Sequence, residues 1–245
     1  MENDAEPSQR LNVRVLPQPN DTVCGPTCLH AVYRFYGETV SLNEVIDTTP
    51  ELPEGGTLAV HLGCHALARG YSAKIYTNNL QIFDPTWFRP AVDLREKLLL
   101  QTKAKPKYKK LQMATLAYLE FMDQGGTIQL EAFTPELLRK YIDHGIPVLA
   151  GLSATYLYDC PRELPDGTFD DIAGAPTGHF VVIQGYDQDL DHLLVADPLH
   201  NNPMFEKSDY SVELARLLAA IHLGIVTYDA NLLIIEKKPD PRPLP

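Results

Sequence analysis

Apolar residues recur at helical spacing over 24–36, behind a run of turn-forming residues and ahead of Gly37, which predicts a helix with a sharp start and stop. Ser41 followed by Glu44 has capping-box spacing and opens a second, short helix. Residues 57–69, closed by Gly70, read as a third helix and 111–122 as a fourth. Thr134-Pro135-Glu136 opens a fifth that ends near Gly145. The pattern then changes period. Residues 147–152 form a short apolar run between turn residues, and 179–186 (HFVVIQGY) and 192–196 (HLLVA) are rich in β-formers. The polar stretch 187–191 between the last two predicts a hairpin. A last helix over 212–223 precedes a strand around 232–236. Helices first and strands late predict an α+β fold, with an N-terminal helical part and a C-terminal antiparallel sheet. No internal repeat is visible, and 237–245, with four prolines in nine residues, reads as an exposed extended tail.

Composition narrows the function classes. With 245 residues, 44% apolar and 22% charged, the chain is expected to fold as a single globular domain over 1–245. Its 32 acidic against 21 basic side chains give a formal net charge of -11, which repels phosphate backbones and anionic lipid. No nucleic acid or membrane partner is therefore expected. The first ten residues lack a basic segment followed by an apolar run, and no stretch approaches the roughly eighteen apolar residues that span a bilayer. The expectation is a cytoplasmic protein whose cysteines (Cys24, Cys28, Cys64 and Cys160) are reduced. The basic run 103–110 (KAKPKYKK) is predicted to be a solvated loop, with a phosphate or acidic partner as the lesser alternative.

The segment 16–28 (LPQPNDTVCGPTC) carries the chemistry. Cys24 sits where loop becomes helix, and the unpaired N–H groups and dipole of a helix N-terminus stabilise a thiolate. Gly25 leaves room for a substrate backbone beside the sulfur, and Pro26 suits the first turn because its missing N–H costs nothing there. A nucleophile needs a base, and His179 opens a strand directly after a long loop, with Gly178 free to present the ring to a cleft. Asp197 closes the neighbouring strand. In an antiparallel hairpin the start of one run lies beside the end of the next, so Asp197 would orient the His179 ring. Gln18, six residues before Cys24, could fold its amide back as an oxyanion donor together with the Cys24 N–H.

Gln, six residues later Cys-Gly-Pro-Thr at a helix start, then Gly-His-Phe-Val-Val and an Asp-Pro on the next strand resemble the papain-like cysteine peptidases. Within them the chain is most similar to the double-glycine leader peptidases that process bacteriocin precursors. The resemblance implies a papain-like fold and acyl transfer without metal or organic cofactor. It assigns Cys24 as nucleophile, His179 as base, Asp197 as orienting acid and Gln18 as oxyanion donor. It covers about 16–37 and 177–199. Those peptidase domains are shorter and are usually fused to transporters, so 52–145 is expected to be a helical insertion on the substrate side, and the bacteriocin leader carries over less well than the chemistry does. A peptide or peptide-like substrate is expected. The same groups would serve an amidotransferase or transpeptidase, and a non-catalytic peptide-binding module is the remaining alternative.

Other features have plainer readings. Cys28, one turn after Cys24, is expected to pack in the core rather than act as a resolving thiol. His61, Cys64 and His65 have zinc-compatible spacing but no evident fourth ligand, so a packed helix face is expected and no metal site is assigned. His30, His144, His192, His200 and His222 have no convergent partners and receive no role. The long segment 153–176 is expected to wall the cleft, with Tyr156 and Tyr158 as substrate contacts. Its acids (Asp159, Glu163, Asp166, Asp170 and Asp171) would favour a basic or amine-bearing substrate. Trp87 could line the cleft or plug the core.

Overall fold

The computed structural model describes residues 9–187 and 191–238. The tip of the 187–191 turn and the proline-rich end from 239 onward lie outside the described residues.

The apolar runs become strands of one eight-stranded sheet. In chain order these are β1 (Gln9–Arg10), β2 (Ser72–Thr77), β3 (Thr127–Gln129), β4 (Val148–Ser153), β5 (Gly178–Tyr186), β6 (His192–Ala196), β7 (Asp209–Glu213) and β8 (Asn231–Glu236). The spatial order is β3-β2-β8-β4-β5-β6-β7, with β1 paired to the far end of β5. Every pairing is antiparallel except β2 with β3, which is parallel. The fold is thus α+β, but the sheet is not confined to the C-terminal half. Region 52–145, expected to be helical, also supplies β2 and β3. β2 (SAKIYT) hid because Lys74 interrupts a short apolar run.

Central strands read as continuous apolar runs because both of their faces are covered. Along β8, Leu232 and Ile234 pack on one face while Leu233 and Ile235 pack on the other. Val181 and Ile183 alternate with Phe180 and Val182 in the same way on β5. One face is covered by α1 (Cys24–Phe35), α3 (Ala59–Ala68) and α5 (Lys109–Asp123). The other is covered by α6 (Pro135–Ile142), α7 (Ala154–Leu157) and α8 (Leu214–Leu223). The edge strand β7 alternates exposed Asp209, Ser211 and Glu213 with buried Tyr210 and Val212. That period of two ends the predicted last helix early, so α8 begins at Leu214 rather than near 212.

Capping chemistry fixed several helix starts. The Ser41 hydroxyl accepts from the Glu44 N–H at 3.1 Å and opens α2 (Leu42–Thr48). Thr134 accepts from Leu137 N–H at the head of α6. An unexpected helix, α4 (Leu94–Ala104), is capped by Asp93, which accepts from the N–H groups of Arg95 and Glu96. The basic run 103–110 therefore ends α4 and begins α5, and only its middle is loop. No helix among the described residues is long and apolar enough to cross a membrane.

Candidate active site

The loop before α1 is shaped locally. Asn20 Oδ1 accepts from both the N–H and the hydroxyl of Thr22, at 2.9 and 3.0 Å, which turns the chain into the helix. Cys24 is the first residue of α1, 7% exposed, and lines a cleft of about 600 Å³. One wall of this cleft is 20–22 with 54–57, and the other is 163–167 with 176–178. Lys110, Thr227 and Asp229 complete it.

His179 is the second residue of β5, paired with Leu152 of β4. The β5–β6 register pairs Val182 with Ala196; continued one step, it sets Asp197 across from Val181, two residues from His179. That diagonal is within side-chain reach. His179 Nε2 lies 2.9 Å from Asp197 Oδ1, and Cys24 is near enough to the same ring to shift its protonation. Burial opposes a charged imidazole, but the Asp197 carboxylate and Cys24 outweigh it and push the His179 pKa up to about 10.

Asp197 has no solvent exposure, and four donors converge on it. Oδ1 accepts from His179 and from the Leu199 N–H at 2.8 Å. Oδ2 accepts from the hydroxyls of Tyr158 and Tyr210, both at 2.7 Å. Burial alone would raise this carboxyl, but the charge of His179 and the hydrogen bonds from His179, Tyr210 and Tyr158 lower it instead. The carboxylate is therefore held ionised and fixed in orientation.

Three sequence expectations need correcting here. Tyr158 does not wall the cleft. It is 3% exposed, and its hydroxyl is spent on Asp197, because α7 turns the ring inward behind the His–Asp pair. Tyr156 is exposed and is not among the residues that line the cleft; the Arg216 guanidinium lies over its ring and donates to its carbonyl. Gly25 is buried, and a Cβ there would meet Thr57 Cγ2 at 2.6 Å and Phe180 at 3.3 Å. Its missing side chain lets α1 pack closely, rather than leaving space for substrate.

Other expectations are placed as follows. Gly178 does line the cleft, and a Cβ there would sit 2.7 Å from Asp229 Oδ2. Gln18 donates its backbone N–H to the carbonyl of Pro198, which ties its loop next to Asp197, and its side-chain Oε1 is buried without a partner among the described residues. Glu163 and Asp166 of the long segment line the cleft, whereas Asp170 caps a turn and Asp159 reaches Arg216 at 4.0 Å. Cys28 is fully buried with its thiol donating to the Phe180 carbonyl at 3.2 Å. His65 is engaged by Tyr33 and Thr48, His61 by Thr57, and Cys64 faces the Ala117 carbonyl. Among the described residues no group of three or more such side chains could hold a metal. Trp87 lines a separate groove with Leu80, Phe83 and Leu100.

Tyr210, Lys110 and Asp229 were not singled out from sequence. Tyr210 left a faint signal in the alternation of 209–213. Lys110 was hidden in the basic run, yet its Nζ donates to the Thr227 carbonyl at 3.2 Å and it lines the cleft. Nothing in the sequence marks Asp229.

A family model described as the peptidase C39-like family matches residues 10–215. Among solved structures, a C39-like peptidase candidate from Bacillus anthracis aligns over 96% of this chain and 100% of its own, at 16% identity and a TM-score of 0.53. A double glycine motif protease from an AMS/PCAT transporter, solved with a leader peptide, aligns over 94% and 95% at 14% identity, with a TM-score of 0.47. No curated protein sequence matches the chain. The first structural likeness is one of fold, and the family match spans most of the chain, Cys24, His179 and Asp197 included. The chain belongs to the peptidase C39-like family and is a cysteine-type peptidase.

Proposed function

We propose that this peptidase cleaves an amide bond of a peptide through a thioester on Cys24. The carrying observation is the imidazole between two groups: Asp197 engages Nε2 at 2.9 Å, and Cys24, which lines the cleft, acts on the same ring electrostatically. With Nε2–H donated to Asp197, Nδ1 is the nitrogen left to exchange a proton with the sulfur. The Cys24 sulfur attacks the scissile carbonyl, and the Cys24 N–H and the Gln18 amide bear the oxyanion. His179 gives its proton to the leaving amine, and water then attacks the thioester with the same ring as base.

The test is chemical. Acid-quenching the protein during turnover of a cleavable peptide should leave the acyl half of that peptide on Cys24, detected as an added mass on the 24-containing fragment. A quenched protein of unchanged mass, with product still accumulating, would overturn the thioester. Gln18→Ala should lower kcat on the order of a hundred- to a thousandfold with little change in KM, because an oxyanion donor acts only once charge develops.

A further inference from the structure

Asp229 is an ionisable side chain that the proposed mechanism does not use. It is 5% exposed and lines the cleft beside Gly178. Oδ2 accepts from the Thr227 hydroxyl at 2.9 Å, while Oδ1 is buried with no partner among the described residues. Buried carboxylate oxygens are ordinarily satisfied, so an orphan at a cleft marks a position where a donor is expected from outside the protein. The surroundings are built around this carboxyl. A Cβ on Gly151 would come within 3.0 Å of Oδ1, one on Gly178 within 2.7 Å of Oδ2, and one on Gly224 within 3.2 Å of the Asp229 Cβ. Its neighbours Tyr228 and Ala230 both adopt left-handed backbone, φ 71° and 62°, which non-glycine residues hold only when the surroundings impose it.

The rest of the cleft has the same sign. Among the described residues, Asp21, Glu54, Glu163 and Asp166 line it with Asp229, against one cation, Lys110. Lys110 is directed at the Thr227 carbonyl and the Tyr228 ring, and makes no hydrogen bond to Oδ1.

We infer that the cleft selects peptides carrying a lysine or arginine side chain near the scissile bond, with Asp229 as the buried carboxylate that receives the cationic group. This rests on the proposed cysteine-peptidase reading and adds a substrate class to it. A cationic group donating to Oδ1 supplies the missing hydrogen bond and neutralises a buried charge, while the acidic walls raise its local concentration. A neutral side chain would leave Oδ1 unpaired, which makes Asp229 a means of rejection as well. Burial lifts the Asp229 carboxyl to about 7, against the lowering effects of Thr227, Lys110 and His179. The groups facing it are Lys110 and Tyr118 of α5 and His179 of β5. Since the ionised form binds a cation, the preference should strengthen as pH rises through that value.

Two measurements test this. First, Cys24 is modified with a pair of small methanethiosulfonates, one bearing a primary ammonium group and one a sulfonate. Each forms a mixed disulfide and releases methanesulfinate, and rates are read by mass on the Cys24 fragment. The cation-to-anion rate ratio should exceed that of the same cysteine in the denatured chain by about tenfold or more, and fall with salt. Asp229→Asn should remove most of that excess, and Glu54→Gln with Glu163→Gln should remove part. A ratio equal to that of the denatured chain, or one untouched by these variants, overturns the inference. Second, cleavage of a mixed peptide library should enrich lysine and arginine beside the cut. Cleavage without that enrichment overturns the inference while the peptidase reading stands. A library left whole counts against that reading, and the reagent ratio still decides the character of the cleft.

Discussion

Cys24→Ala is expected to abolish peptide cleavage, by on the order of 10⁴- to 10⁶-fold in kcat, while the protein keeps its fold. Nucleophile and base act as a unit, so removing the sulfur removes the acyl-enzyme route altogether and leaves only binding and oxyanion stabilisation. No other thiol can substitute. Cys28 lies one turn deeper, fully buried, with its sulfur on the Phe180 carbonyl. Burial first, then the negative charges of Cys24 and Asp197, hold the Cys28 thiol well above its ordinary range. Cys64, on α3, is pushed up to about 12 by burial and by Glu120. Alanine at 24 deletes a single atom at the start of α1, so the expected loss of stability is about 1 kcal/mol or less. Single-turnover cleavage assays beside a thermal melt separate the two effects. A Cys24→Ala protein that cleaves at the parent rate would refute the nucleophile assignment.

The second large effect is at Asp197, and it should appear in both activity and stability. In Asp197→Asn one acceptor oxygen becomes an NH₂ that faces donors on either side. If it turns to Tyr158 and Tyr210, their hydroxyls must reverse. If it turns to His179, Nε2 must become the acceptor and the proton moves to Nδ1, the tautomer that cannot take a proton from the sulfur. A loss of about 10⁴-fold in kcat is expected from the wrong tautomer. Asp197→Ala goes further, stranding four buried donors, and should cost about 3–5 kcal/mol of unfolding free energy.

The pH dependence follows from the two shifts. Asp197 is lowered, so its contribution is present above its unfolded value and lost as pH falls below about 4. His179 is raised to about 10, so its contribution is full below its unfolded value near 6.5 and lost as pH rises through 10. The gap in stability between parent and Asp197→Ala should therefore be widest between about pH 4 and 6.5 and narrow toward pH 10. Denaturant titrations at pH 5.5 and 10 check it, and a gap that widens with pH would be the wrong sign. Tyr210→Phe should show a milder version, about 1.5–3 kcal/mol, because Tyr158 still holds Oδ2.

Much of this protein lies in its local patterns. The helix at 24–35, its stop at Gly37, the Ser41 cap and the 178–196 hairpin follow from spacing and turn chemistry, which act over a few residues. The approach of His179 to Asp197 also follows, since a hairpin register places the start of one strand near the end of the next. Even the mixed face of 61–65 was readable as packing, because one helix turn decides which side chains share a side.

Only the tertiary structure decided what surrounds those residues. Tyr158 and Tyr210 meet on one oxygen of Asp197 although they are 52 positions apart, because α7 and β7 are brought to the same buried carboxylate from different directions. Gly25 serves packing rather than substrate because Thr57, far along the chain, fills the space beside it. β2 joins the sheet along the edge of β8, and β3 in turn pairs with β2, although their own sequence signal is weak. Asp229 acquires its setting from three glycines and a lysine on separate elements. Periodicity, caps and turns are free energies of neighbours in sequence. Burial and partner choice are free energies of neighbours in space, which no single stretch of the chain contains.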